Sequence, residues 1–344
     1  MKKHIVMVDY CSVCDEDGKP IGHGCKVGNE YYDYISAEFE VIQYVNRDML
    51  PYIINPGKTA FAVPLRRGVG KCRRILTNLR NMLEVYRKEN NSILWFYAPD
   101  MYFFIFALFM RKGSHKLIVN VFEEYRNNRM KHYIFQKALC RMDRVFVTNR
   151  NLLKGIPQGI LIPDYAYRKE QYDAFLRLPK RERVICLGTM NEKKLLKEAV
   201  KAFAENGYPL HIAGQFVSEE FYHYLCSVKT DNVIIENRYV DTNEYYSMLG
   251  GSKYCLIPYD ADFYKNRTSG VLQECVFVGT TPVSHKEILD FADVPGVGYE
   301  EISELAEFSF SERDDCFAEK YQLQRDEFYR YDAVREKVLK AISL

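Results

Sequence analysis

What most restricts the fold of this chain is an alternation that runs through it twice. Short β-branched or aromatic runs at residues 4–9, 39–44, 58–63, 92–97, 116–122, 144–148 and 160–163 read as strands. Between them lie stretches with the period of amphipathic helices, such as residues 73–88. Strands that alternate with helices and read as continuous apolar runs belong to a parallel sheet covered on both faces. A charged connector, residues 166–182, follows, and the cycle restarts with strands at 184–187, 210–213, 233–236, 254–258 and 281–283. With 344 residues, 47% of them hydrophobic, the chain has material for two cores. The expected architecture is α/β, with doubly wound domains at residues 1–168 and 169–320. A helix within 321–344 is expected to cross back onto the first domain. Two such domains facing each other leave a cleft, a usual ligand position.

The second half carries its chemistry at residues 264–283, YKNRTSGVLQECVFVGTTPV. A polar loop with Arg267 leads to Thr268, Ser269 and Gly270, which open a helix whose apolar side is Val271, Leu272, Cys275, Val276 and Val278. Gly279 ends it before the next strand. A helix N-terminus presents unpaired amides backed by roughly half a positive charge, which suits an anion. Gly270 lets a phosphate approach the backbone, and Arg267 can fork onto it. One turn in, Glu274 can accept hydrogen bonds from the two vicinal hydroxyls of a ribose. The plain alternative is a strand, a turn and a helix with a Ser/Thr cap.

In the first half, Gly22-His23-Gly24 stands at the mouth of the first helix, where a nucleotide fold admits a ligand and His23 can orient an acceptor hydroxyl. Asp100, Glu123 and Glu124 follow strands at their carboxyl ends. Helix capping is the alternative for Asp100, and a surface ion pair with Arg126 for Glu124. Cys11, Cys14, His23 and Cys25 look superficially like zinc ligands, but their spacing fits no common finger. Residues 66–74, RRGVGKCRR, fail the phosphate-loop pattern twice, with Leu65 in place of a glycine and Cys72 in place of Ser or Thr. They read as a basic turn into a helix that points Ile75, Leu76, Leu79, Met82, Leu83 and Tyr86 inward. Asp260-Ala261-Asp262 has the form of a metal-binding pair but sits in a polar loop, and no metal is expected.

The net charge of +2 conceals an imbalance. Residues 1–168 hold 26 Lys and Arg against 16 Asp and Glu, whereas the remainder holds 22 against 30. A basic first half suits phosphates, and an anionic membrane surface is the expected partner. Nucleic acid is not expected, because the aromatic residues fall in core patterns rather than between cations on one face. Ten cysteines and only a strand-length apolar run after Met1 point to the reducing cytoplasm, with peripheral association at the inner face of the membrane. The apolar run 101–110, MYFFIFALFM, has about half the length of a bilayer span and reads as a buried helix.

With these residues in view, the chain resembles glycosyltransferases of the GT-B fold, notably family 4 and related enzymes of bacterial surface-polysaccharide synthesis. The segments that carry the resemblance are LGTMNEKKLLKEAVKAF, LHIAGQF, NRYVDTNEYYSMLGGSKYCLIPY and RTSGVLQECVFVGTTPV, with GHGCKVGNEYYDYI and ILIPDY in the first half. It implies two Rossmann-like domains facing across a cleft and transfer of a sugar from a nucleoside-diphosphate sugar to a hydroxyl of a glycan or lipid-linked acceptor. Gly188, Thr189, Lys193, Lys194, Arg267, Thr268, Ser269, Gly270 and Val271 fall at the donor diphosphate, Tyr239 and Val240 at the base, and Glu274 at the ribose. Gly22, His23 and Gly24 fall on the acceptor side, with Glu123, Asp100 or His23 as the proton acceptor. The family's Glu-x7-Glu pattern is broken, since Asn266 stands eight positions before Glu274. No cofactor is expected beyond the donor itself. The alternative is a nucleotide-sugar-binding subunit that has lost its acceptor side.

Overall fold

The computed structural model describes residues 4–15, 18–22, 24–54, 59–61, 70–111, 113–311 and 317–343. The chain divides into two compact units, Met1–Tyr165 with Val334–Leu344, and Ala166–Ala333.

The first unit is built from β1 (His4–Val8), α1 (Gly24–Ile35), β2 (Glu40–Val45), β3 (Thr59–Ala60), α2 (Lys71–Lys88), β4 (Ile93–Phe96), α3 (Met101–Phe109), β5 (Lys116–Val121), α4 (Arg129–Leu139), β6 (Arg144–Val147), α5 (Arg150–Gly155) and β7 (Ile160–Leu161). Its sheet has the order β3-β2-β1-β4-β5-β6-β7 and every pairing is parallel. The apolar strands are buried along almost their whole length because helices cover both faces. The order reverses between β1 and β4. Right-handed crossovers therefore put α1 on one face and α2, α3 and α4 together on the other. Most of the apolar run of α3 is core: Phe103 packs tilted against Phe96 at 4.5 Å and Phe104 meets Phe135 edge-on at 4.9 Å, while Phe109 is 83% exposed, against the expectation of a wholly buried helix. Among the described residues no helix is long and apolar enough to cross a membrane.

The helix α2 is turned differently from its sequence expectation. Thr77, Asn78 and Asn81 are buried beside Met82 and Val85, whereas Leu76 is 67% exposed and Leu83 is exposed as well. Of the positions expected inward, Met82 is buried, Tyr86 meets His115 at 4.7 Å, and Ile75 and Leu79 are half-buried, so the helix packs along one edge of its apolar stripe. Periodicity gives the width of such a stripe but not the edge that packs. Lys71, Arg73 and Arg74 are exposed at its head, while Arg66 and Arg67 lie outside the described residues.

The second unit contains α6 (Lys169–Leu176), β8 (Arg181–Leu187), α7 (Leu196–Asn206), β9 (Leu210–Gly214), α8 (Glu219–Val228), β10 (Val233–Asn237), α9 (Thr242–Gly250), β11 (Ser252–Ile257), α10 (Ala261–Tyr264), α11 (Gly270–Val278), β12 (Thr281–His285), α12 (Lys286–Ala292), β13 (Val297–Tyr299) and α13 (Ala318–Glu327). Its parallel sheet runs β10-β9-β8-β11-β12-β13, the order of a dinucleotide-binding fold, with its reversal between β8 and β11. The connector expected at 166–182 is not a solvated linker. It forms α6, whose buried Tyr172 packs against Tyr246 at 5.2 Å and Phe277 at 4.9 Å. The last helix, α14 (Tyr331–Ile342), buries Val334, Val338, Ala341 and Ile342. It is fixed to the first unit where Arg144 Nε donates to the Ala341 carbonyl at 3.1 Å and Arg335 pairs with Glu38 at 3.3 Å.

Candidate functional site

Ligands of an open parallel sheet collect where its strand order reverses, so the ends of β8 and β11 are the place to look in the second unit. Past β8 the chain turns at Gly188, whose φ of +102° suits glycine. Gly214, at the end of β9, lies so close that a Cβ there would stand 1.8 Å from the Gly188 carbonyl oxygen. The loop is then fixed by short bonds: Met190 N to Gln215 O at 2.8 Å, Lys193 N to Asn191 Oδ1 at 2.9 Å and Leu195 N to Pro258 O at 2.7 Å. Thr189 is half-buried in it. This path carries Lys194 across the top of β8 to bridge with Tyr259 beyond β11.

Lys194 is only 7% exposed. Its ammonium has long contacts, 3.4 Å to the Leu187 carbonyl and 3.7 Å to Met190 Sδ, and lies 5.6 Å from the Tyr259 ring centre. A desolvated cation with contacts this long gains most from an anion brought to it. Lys193 is exposed, with its ammonium 3.8 Å from the centre of the Phe263 ring. Arg267, half-buried, has its guanidinium 4.1 Å from the same centre. Its backbone is held in a turn by a 2.9 Å bond from Arg267 N to Tyr264 O.

The anion-binding helix expected from the sequence is α11. Thr268 is half-buried before it, and Ser269 occupies the cap position without a side-chain cap bond. The amides of Gly270 and Val271 therefore open the helix without the usual hydroxyl over them. Ser269 is buried beside Tyr259, whose phenol burial pushes up to about 12 while the Ser269 hydroxyl acts the other way.

Glu274 sits on the second turn of α11 and is buried. Tyr245 donates to one carboxylate oxygen at 2.6 Å and Tyr246 to the other at 2.9 Å. Sequence reasoning missed these two phenols as partners, although the Tyr-Tyr pair one turn into α9 was visible. Burial and the Glu274 charge push both phenols well above their ordinary range, so they remain donors. The ends of α9 and α11 are tied by Lys180, whose ammonium donates to Gly250 O and Val278 O, each at 2.6 Å, and to Thr280 Oγ1 at 3.2 Å. Tyr239 is exposed and Val240 half-buried in the loop between β10 and α9. Just before them Arg238 grips Glu244 at 2.6 and 2.7 Å.

The acidic pair Asp260 and Asp262 does local work. Asp260 caps α10 through Asp262 N at 2.9 Å, and Asp262 pairs with Lys265 at 3.3 Å. Among the described residues no group of three or more His, Cys, Asp or Glu is gathered to hold a metal.

In the first unit the reversal lies between β1 and β4. Asp100 caps α3, accepting from Tyr102 N at 2.9 Å, Phe103 N at 3.2 Å and the Tyr10 hydroxyl at 2.6 Å. Glu123 is half-buried just past β5. Glu124 does pair with Arg126 at 2.7 Å, but its side chain is buried rather than at the surface. Gly22 has φ +78°, Gly24 opens α1, and His23 lies outside the described residues. Gly24 is required by close approach, since a Cβ there would meet Ser12 Oγ at 2.2 Å and Asp9 Oδ2 at 2.7 Å. Asp9, not singled out from the sequence, is buried at the end of β1, and desolvation raises its pKa. The cysteines expected to resemble a zinc set behave as buried thiols: burial pushes Cys14 to about 11 and Cys25 to about 12.

No protein-family model matches the chain, and no curated protein sequence matches it. Solved structures do. An α,α-trehalose-phosphate synthase (UDP-forming) from Burkholderia vietnamiensis superposes with a TM-score of 0.65 at 11% identity over 100% of both chains. A putative UDP-N-acetylglucosamine 2-epimerase from Listeria monocytogenes gives 0.63 at 11% identity over 99% of this chain and 96% of the other. AviGT4, a glycosyltransferase involved in avilamycin A biosynthesis, gives 0.60 at 11% identity over 99% and 97%. At such identities the likeness is one of fold, and that fold is the GT-B type, two Rossmann-like α/β units in one chain.

Proposed function

We propose that this chain transfers a sugar from a uridine-diphosphate sugar to a hydroxyl of a glycan or lipid-linked acceptor, in the synthesis of surface polysaccharide and without a metal. The observation that carries the reading is that a buried lysine, Lys194, and an uncapped helix start at Ser269–Gly270 both adjoin Tyr259 at the reversal of the second sheet. Uridine is favoured because two of the proteins with a similar fold are named for a UDP compound.

In this reading the bond between the sugar's anomeric carbon and the diphosphate breaks as the bond from the acceptor oxygen forms. One further negative charge develops on the departing diphosphate, and Lys193, Lys194, Arg267 and the amides of Gly270 and Val271 stabilise it. Glu274 accepts from the ribose beside its bonds from Tyr245 and Tyr246. Tyr239 and Val240 border the base. The acceptor's proton passes to Glu123 or His23, with Gly22 and Gly24 shaping the acceptor loop. Asp100, also a candidate from the sequence, is engaged as a helix cap and hydrogen-bond partner of Tyr10.

We also propose that the first unit rests on an anionic membrane at the cytoplasmic face. The helices α2, α3 and α4 form one layer, and exposed on them are Leu76, Leu83, Phe109, Met130 and Tyr133. Exposed Arg73, Arg80, Arg87, Arg129, Lys131 and Lys137 lie on the same helices. Cations beside protruding apolar groups suit anionic headgroups over an apolar interior.

The test begins with thermal shifts in a panel of nucleoside diphosphates and their sugars, followed by turnover with and without acceptor and a chelator. UDP-selective stabilisation and acceptor-dependent release of UDP, unaffected by chelator, are expected. Sugar epimerisation without an acceptor would replace the reading with an epimerase. Binding with no turnover would leave the nucleotide-sugar-binding subunit.

A further inference from the structure

The diphosphate reading leaves one arrangement unexplained. Phe263 is half-buried on α10, and two cations lie against it: Lys193 Nζ at 3.8 Å and Arg267 Cζ at 4.1 Å from the ring centre. Two like charges held within about 8 Å of each other repel. The backbone brings their loops together, through the bond from Asp260 N to Lys193 O at 3.4 Å and the bridge from Lys194 to Tyr259, but does not require both side chains to lie on one ring. They arrive from different elements, Lys193 from the loop after β8 and Arg267 from the turn after α10. An aromatic face attracts cations through its quadrupole, and the attraction increases as water is removed. Beneath the same loop lies the buried Lys194, and α11 begins at Gly270, three residues after Arg267. The neighbouring ring Tyr264 stacks on Tyr259 at 4.0 Å and meets Phe263 edge-on at 5.1 Å, so Phe263 is itself held by an aromatic column.

We propose that Phe263 is a positioning residue, which fixes Lys193 and Arg267 on a rigid ring so that both charges stand ready for one diphosphate. The inference rests on the donor reading above and adds to it the part that organises the cations. A long flexible cation that must be ordered on binding loses side-chain entropy, whereas one already seated on a ring loses less. The ring acts through these two cations, so its removal is expected to act on phosphate recognition.

The experiment is calorimetric titration of wild type, F263L and F263Y with UDP, uridine and inorganic pyrophosphate. Leucine keeps the bulk of the apolar contact but has no aromatic face, whereas tyrosine keeps the face. F263L is expected to bind UDP and pyrophosphate about tenfold more weakly, in line with the loss of one exposed and one half-buried cation–ring contact. Uridine affinity and the melting temperature are expected to hold, and F263Y to bind within about twofold of wild type. Undiminished pyrophosphate binding by F263L would overturn the inference. So would an equal loss for uridine, or a F263Y variant as impaired as F263L, since either would mark Phe263 as packing only. Wild type that binds pyrophosphate but no nucleoside diphosphate would sink the donor reading alone, and the pyrophosphate comparison would still decide the role of the ring. Wild type that binds neither would overturn both.

Discussion

Replacing Glu274 tests stability and binding together, and the structure says how to separate them. The carboxylate accepts from the half-buried Tyr245 phenol at 2.6 Å and from the buried Tyr246 phenol at 2.9 Å. In E274A the Tyr245 hydroxyl loses its carboxylate acceptor, while Tyr246 keeps the Tyr172 hydroxyl beside it. Leaving a desolvated donor unsatisfied costs about 1–3 kcal/mol. That is a sizeable share of the roughly 5–15 kcal/mol that holds a domain together. At about 2–4 °C per kcal/mol for a unit of this size, the loss lowers the melting temperature by about 2–12 °C. E274Q behaves differently. Its carboxamide oxygen accepts from one phenol, and its NH2 donates to the oxygen of the other once that hydroxyl rotates. Stability should then fall by only about 1 kcal/mol. The ribose hydroxyls would still lose a charged acceptor, and charge-assisted bonds are roughly twice as strong as neutral ones, so UDP should bind about five- to tenfold more weakly. The assay is differential scanning calorimetry on wild type, E274A and E274Q, then UDP titration at a temperature where all are folded. Wild-type melting of E274A would refute the phenol bracket. Wild-type UDP affinity in E274Q would remove Glu274 from the ribose.

The remaining predictions concern charge. R267A should lose about 10- to 100-fold in affinity for UDP but little for uridine, by calorimetric titration, because its contact is with phosphate. Burial pulls the Lys180 ammonium down from its ordinary 10.5 to about 8. Between those pH values the unfolded chain holds a proton that the folded chain has released, so wild-type stability rises with pH across that window. Denaturant titrations of wild type and K180M should therefore diverge by up to about 3 kcal/mol between pH 8 and 10.5, and a constant gap would mean that the carbonyls around Lys180 keep it charged. Wild type should sediment with anionic but not neutral vesicles, less so at high salt, and the L76S/M130S double variant should sediment less; salt-independent binding to both vesicle types would remove the membrane from the account.

The strand order and the loops at its reversal were legible because β-branched runs and glycine breaks are local signals. Ser269–Gly270 opening a helix after a strand is such a signal, and the structure has that helix start. What failed to show was anything that depends on a partner distant in sequence. Lys193 and Lys194 are adjacent in the chain, yet one is exposed and the other buried, because the strand bridge from Lys194 to Tyr259 decides it. The bond of Glu274 to Tyr245 and Tyr246 spans 29 and 28 residues. The inward polar face of α2 was hidden for a further reason. Thr77, Asn78 and Asn81 look like solvent-facing residues, and Leu76 and Leu83 like core, until the neighbouring elements fix the rotation of the helix.

The return of residues 334–343 to the first unit bears on how the protein is made. A ribosome adding about 5–20 residues per second completes the β1–β7 sheet long before α14 emerges. During the interval the surface that will receive Val334, Val338, Ala341 and Ile342 has no cover, and Arg144 lacks the Ala341 carbonyl. The second unit is continuous from Ala166 to Ala333 and can close on its own as soon as it has left the exit tunnel. Birth order and folding order are thus inverted, with the half synthesised first finishing last. Nascent chains stalled before and after residue 343 should differ in protease resistance within residues 4–165, and not within 166–333.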